Sequence, residues 1–128
     1  MIIRCGGMFD GEGFASNVEV TVEGGVITAV TSGPTSHVTG VEGSETSHDE
    51  VVDFGAEAML LPGFVDAHQH LTWNCSPDPV SWLTTATDED LLRTARTNAR
   101  TALGSGVTTV RDLGDRGYVT LALRDETS

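Results

Sequence analysis

His68 and His70 stand one residue apart in the stretch LLPGFVDAHQHL, Leu60 to Leu71, in a chain with only four histidines. Phe64 and Val65 lead into them as the apolar start of a short strand. On a strand, side chains at i and i+2 point to the same face. The two imidazoles therefore present themselves side by side at the strand's C-terminal end. Imidazole is a good ligand for zinc, iron, nickel and related divalent ions. Two histidines supply two of the three or four protein ligands such an ion takes. Asp66 shares their face and reads two ways. It is either a carboxylate that orients an imidazole or sits near a metal, or a strand-end residue bonding to nearby backbone. A bare HxH is a weak signal that chance also produces. Its place after an apolar strand and Pro62-Gly63, and before a βα unit, gives it weight.

The elements that must position this pair follow from periodicity. Val18, Val20 and Val22 alternate with Glu19, Thr21 and Glu23, a period of two. Gly24-Gly25 then signals a tight turn and VITAV the return strand, so a hairpin is expected over residues 17–30. MIIRC reads as a further strand, FDGEG as a turn, and EVVDFGAEAMLLPG as strand again. Residues 31–50 are polar and rich in Ser, Thr and Gly, which marks a loop or insertion. His37 and His48 lie in it and read as solvated surface histidines. A long loop carrying Trp73 and Trp82 is expected after the His-bearing strand. The two tryptophans either line a pocket or pack on the rim of the fold, the second being favoured.

From Thr87 the period changes to that of a helix. Thr87 caps it, and Asp88, Glu89 and Asp90 put negative charge in its first turn. Leu91, Leu92, Ala95, Ala99, Ala102 and Leu103 share one face. Arg93, Arg96 and Arg100 share the other, read as a solvated face rather than a binding patch, with Glu89 and Arg93 as an i,i+4 pair. Gly104 and Gly106 end the helix, and VTTVRDL follows as a strand. Asp112, at that strand's end, is either a pocket residue or an ion-pair partner of Arg111 or Arg116. The order after residue 62 is strand, loop, helix, strand, loop and the opening of a helix. That order means an α/β fold with a parallel pair.

Net charge is −12, and all seven basic residues are arginine. An acidic chain without clustered basic residues argues against nucleic acid and anionic membranes as partners. No apolar run approaches the roughly 20 residues of a membrane span. The start lacks the basic and apolar regions of a signal peptide. A soluble, cytoplasmic protein is the default. Cys5 and Cys75 form no CxxC and read as reduced thiols, with Cys75 a minor candidate for a metal ligand. No chemistry that needs a lysine can be completed within the chain.

LLPGFVDAHQHL resembles the PGxxDxHxH signature that opens the barrel of the amidohydrolase superfamily. GVTTVRDLGD is similar to the segment around the second barrel strand in members related to imidazolonepropionase and the Xaa-Pro dipeptidase-like enzymes. VEVTVEGGVITAV resembles their N-terminal hairpin, and VVDFGAEAMLLPG the strand leading into the barrel. The resemblance implies that residues 1–62 form part of a small composite β-sandwich. It implies that residues 63–128 are the first βα units of an incomplete (β/α)8 barrel, a fold that takes about 250 residues. It implies His68 and His70 as ligands to one or two divalent metal ions, commonly zinc. Such a metal activates water for attack on an amide or cyclic amide C–N bond. The family's middle-strand lysine or glutamate, its two further histidines and its last-strand aspartate base have no counterparts here. The general base is thus expected outside this chain.

Three readings follow. The favoured one is the N-terminal segment of a metal-dependent amidohydrolase, whose activity needs further residues and whose helix face from Leu91 to Leu103 is left uncovered. The others are a non-catalytic metal-binding domain, and a subunit that completes another chain's barrel.

Overall fold

The computed structural model describes residues 1–33 and 50–127. Most of the polar stretch 31–50, with His37 and His48, lies outside the described residues. The chain divides into two compact units, Met1–Pro62 and Gly63–Ser128, and the secondary structure is mixed α/β.

The first unit is built on β1 (Ile2–Phe9), β2 (Phe14–Glu23), β3 (Val26–Ser32), β4 (Val51–Asp53) and β5 (Met59–Leu60). They form one five-stranded sheet in the order β3-β2-β1-β4, with β5 also pairing β1. β1, β2 and β3 run antiparallel, whereas β4 and β5 run parallel to β1. The hairpin turn falls at Gly24 and Gly25, whose φ angles are 57° and 80°. Two consecutive positive φ angles match the right-handed strand twist and are open to glycine at no steric cost. The β1–β2 turn is tied by Asp10, whose carboxylate accepts from the Glu12 and Gly13 N–H groups, both at 2.8 Å. These bonds hold the Asp10 carboxyl below its ordinary value, the Gly13 bond most. The period of two buries Val18 and Val20 with Cys5, and Ile3, Met8, Val22, Ala58 and Leu60 pack around them. The expected strand over residues 50–63 is instead two short strands. They are separated by a turn at Gly55, whose N–H donates to Asp53 at 2.8 Å.

The second unit contains β6 (Phe64–Gln69), α1 (Pro79–Thr85), α2 (Asp88–Gly104), β7 (Val107–Asp112), a 3-10 turn (Arg116–Tyr118) and α3 (Val119–Thr127). β6 and β7 pair in parallel, Phe64 opposite Val107 and Gln69 opposite Asp112. Gly63 permits the close approach of the strands. A Cβ there would lie 2.0 Å from the Thr108 hydroxyl oxygen and 2.7 Å from its Cβ. α2 starts with a capping box: Thr87 accepts from the Asp90 N–H at 3.1 Å and Asp90 accepts back from the Thr87 N–H at 3.4 Å. Such a cap satisfies two helix-end donors at once.

Several local expectations change. The region after β6 is not all loop, because Asp78 caps α1 by accepting from Ser81 N–H at 3.0 Å, with Pro79 in its first turn. Arg93 pairs with Asp90, one turn back, rather than with Glu89. Arg96 is not simply solvated: its guanidinium pairs with Glu126 of α3. The apolar face of α2 is covered in its first half and left exposed at its end. Leu91 and Ala95 are fully buried, and Ala95 packs with Leu71 of the segment after β6 and Leu123 of α3. Leu103, at the C-terminal end of the same face, is exposed, as are Phe64 and Val65 on β6. Among the described residues, no helix is long and apolar enough to cross a membrane.

Candidate functional site

The C-terminal end of β6 and the turn after it carry both histidines. His68 is the penultimate residue of the strand, and His70 follows its last residue. Their ring centroids lie 5.5 Å apart with the planes at 74°. The expected pairing of the imidazoles is therefore present in space, although His70 has left the regular strand.

Two aspartates brace the backbone around the histidines. Asp66 accepts from the His68 backbone N–H at 3.0 Å and from the Gln69 side-chain amide at 2.7 Å. The His68 bond and then the Gln69 bond hold the Asp66 carboxyl below its ordinary value. Its oxygens are thus engaged with backbone and amide, and Asp66 keeps the strand end in shape. Asp112, at the end of β7, accepts from the Leu71 N–H at 3.0 Å and from the Gly114 N–H at 2.8 Å. Arg116 pairs with Asp88 and donates to the carbonyls of Leu83 and Ala86, so it does not serve as Asp112's partner.

The His70 ring has two further neighbours. Its Nδ1 lies 3.1 Å from the Gly114 carbonyl oxygen. A carbonyl only accepts, so this bond requires Nδ1–H, and in the neutral imidazole that leaves the lone pair on Nε2. Trp73 stacks on the same ring, with centroids 5.1 Å apart and the planes at 22°. Trp82 points its indole N–H to the Thr72 carbonyl at 3.0 Å, a packing role.

One residue that sequence reasoning passed over is Asn98. Its amide nitrogen donates to the carbonyls of Leu71 and Trp73, both at 2.8 Å, and so fastens the His70 turn to α2. The signal was available. Asn98 is seven residues after Leu91 and three after Ala95, on the buried face of α2, where an amide demands a polar partner.

The donor set suits a borderline divalent ion at two of its positions: paired imidazoles, one with its tautomer fixed by a carbonyl. Among the described residues no group of three or more His, Cys, Asp and Glu side chains is placed to hold a metal. Cys75 is a free, exposed thiol.

The amidohydrolase family model matches residues 59–128, the segment from β5 through both histidines to the end of the chain. The chain belongs to the amidohydrolase family. No curated protein matches it. Among solved structures, a Xaa-Pro dipeptidase with bound methionine in its active site is 25% identical, with a TM-score of 0.74 over 97% of this chain and 29% of that one. A prolidase complexed with N-methylphosphonate-L-proline is 22% identical, with a TM-score of 0.70 over 100% of this chain and 29% of that one. The ochratoxinase of A. niger is 23% identical, with a TM-score of 0.64 over 98% of this chain and 28% of that one. This amidohydrolase chain therefore spans under a third of the length of the structures it resembles.

Proposed function

We propose that this chain supplies the first metal-binding half-site of a hydrolase that cleaves an amide-type C–N bond in a small molecule. The observation that carries the reading is the His68–His70 pair at the end of β6, with the Nδ1 of His70 committed to the Gly114 carbonyl. Family membership over residues 59–128 supports the hydrolase class, and the likeness to a Xaa-Pro dipeptidase favours dipeptide-like substrates. His68 and His70 would hold a divalent ion, with zinc the natural choice for paired imidazoles. When bound, the ion supplies a Lewis acid and an activated water. The chain's own residues orient: Asp66 shapes the strand end beneath His68, while Asn98 and Trp73 steady the turn and ring of His70. The remaining ligands and the general base belong to residues outside those described.

We further read residues 1–62 as part of a composite β-sandwich and residues 63–128 as the opening βα units of a (β/α)8 barrel. Two parallel strands are too few for a free-standing sheet. β6 also exposes Phe64 and Val65, which further strands of a barrel would cover. The net charge of −12 fits a cytoplasmic enzyme of small molecules and not a partner of nucleic acid or anionic membranes.

The test is zinc binding to the purified 128-residue chain, read by calorimetry beside a His68→Ala/His70→Ala double variant. Expected is zinc binding in the wild type that the double variant loses. Equal binding by both would show that the pair is not the site. Binding at full stoichiometry and nanomolar affinity without added chains would favour a self-sufficient metal domain instead.

A further inference from the structure

We propose that Asp112 is a positioning residue for His70, acting through the Gly114 peptide to keep the imidazole's Nε2 lone pair available to a metal. The inference rests on the metal reading of the histidine pair, and it concerns a residue from the neighbouring strand. One oxygen of the carboxylate accepts from the Leu71 N–H at 3.0 Å, the amide that follows His70. The other accepts from the Gly114 N–H at 2.8 Å. Gly114 holds φ +120°, a conformation open to glycine, and its carbonyl lies 3.1 Å from the His70 Nδ1. A single carboxylate thus fixes both the backbone beside His70 and the acceptor for its ring.

The Leu113 N–H adds a bond to the Gln69 carbonyl at 2.9 Å, so the ends of β6 and β7 are also tied through their backbone. Asp66 does not duplicate this role, because its oxygens are engaged by His68 and Gln69. Such outer carboxylates fix a ligating histidine's tautomer and orientation, and their loss commonly costs 10–100-fold in metal affinity. Here the carboxylate reaches the ring through a peptide rather than directly, so the lower end of that range applies.

The experiment labels histidine with 15N in the full 128-residue chain and reads tautomers from two-bond 1H–15N correlations at about pH 8, above the ordinary imidazole range. Wild type is expected to show His70 as the Nδ1–H tautomer. Asp112→Asn offers one acceptor oxygen and an NH2 where two acceptors stood. It is expected to mix the His70 tautomers, leave the His68 signals in place and weaken zinc binding roughly tenfold. An Nε2–H tautomer of His70 in the wild type overturns the proposal, as does an Asp112→Asn variant with unchanged tautomer. If Asp112→Asn does not fold, Asp112→Glu keeps charge and both acceptors but displaces them by one methylene, and the same shift is expected. Loss of fold in both would mean that the carboxylate holds the strand pair and not the ring, and would also overturn it. A wild type that binds no zinc, with the tautomer shift intact, would refute the metal reading and leave the positioning role standing.

Discussion

Asn98→Ala tests whether α2 actively holds the turn that carries His70. The amide makes two hydrogen bonds of 2.8 Å, to the Leu71 and Trp73 carbonyls. A typical hydrogen bond contributes a net 0.5–1.5 kcal/mol, so the pair contributes about 2 kcal/mol. For a unit of this size each kcal/mol moves the melting temperature by about 4–8 °C, which gives a fall of roughly 8–16 °C. Asn98→Asp separates this from lost packing. It has nearly the same shape, but a carboxylate offers no donor and faces two carbonyl oxygens. It should therefore melt below Asn98→Ala, although alanine removes more atoms. The assay is thermal unfolding by circular dichroism of all three chains, with zinc affinity measured on the same samples. Zinc affinity should fall on the order of tenfold in both variants, because the His70 turn loses its anchor. An Asn98→Asp chain at least as stable as Asn98→Ala would refute the hydrogen-bonding argument. Unchanged zinc affinity in both would refute the link from α2 to the site.

Two further perturbations address stability in the same unit. Thr72 is fully buried, and its hydroxyl has no hydrogen-bond partner among the described residues. Thr72→Val replaces that hydroxyl by a methyl of similar size and should raise stability by about 1 kcal/mol; a fall in the chemical-denaturation midpoint would show that the hydroxyl is engaged. Glu126 has its carboxyl held below its ordinary value of 4.5, chiefly by the Arg96 guanidinium. A depressed pKa stabilises the fold above the unfolded value, and that contribution is lost as pH falls through the folded one. The melting-temperature gap between wild type and Glu126→Gln should therefore be present at pH 7, shrink as pH drops below about 4.5 and vanish in stronger acid. It should also narrow in molar salt, because both partners are partly exposed. A gap that grows in acid would overturn the ion-pair account.

Much of the arrangement was legible in local spacing. Two histidines at i and i+2 share a strand face, and the alternation Val18, Val20, Val22 could bury only as a half-covered strand. Thr87 with Asp90 three residues on marked the helix start, and the Gly24-Gly25 pair marked the hairpin turn. α1 was missed although Asp78-Pro79 is a recognisable cap followed by a first-turn proline; it is short, and the polar residues around it resemble loop. The partners of Arg96 and Asp112 were not legible for a different reason. Arg96 meets Glu126 across 30 positions of chain, and Asp112 meets Leu71 across 41. No periodicity of a single element encodes such a pairing.

That distance in sequence bears on how the site is made. His70 receives its ring acceptor from 44 residues away and shares its turn with a clamp from Asn98, 27 residues from Leu71. Each of these bonds closes a long loop, whose entropy must be offset before the bond adds anything. Burial of Leu71, Leu91, Ala95 and Leu123 supplies the stabilisation that holds α2 and α3 together with the turn after β6. The geometry of the histidine pair is therefore a consequence of core packing in residues 63–127. A peptide spanning the HxH motif would contain both histidines and Asp66, yet neither the carbonyl that meets the His70 ring nor the amide that fastens its turn. The smallest piece of this chain that carries the histidine pair as it stands is the whole unit from β6 through α3.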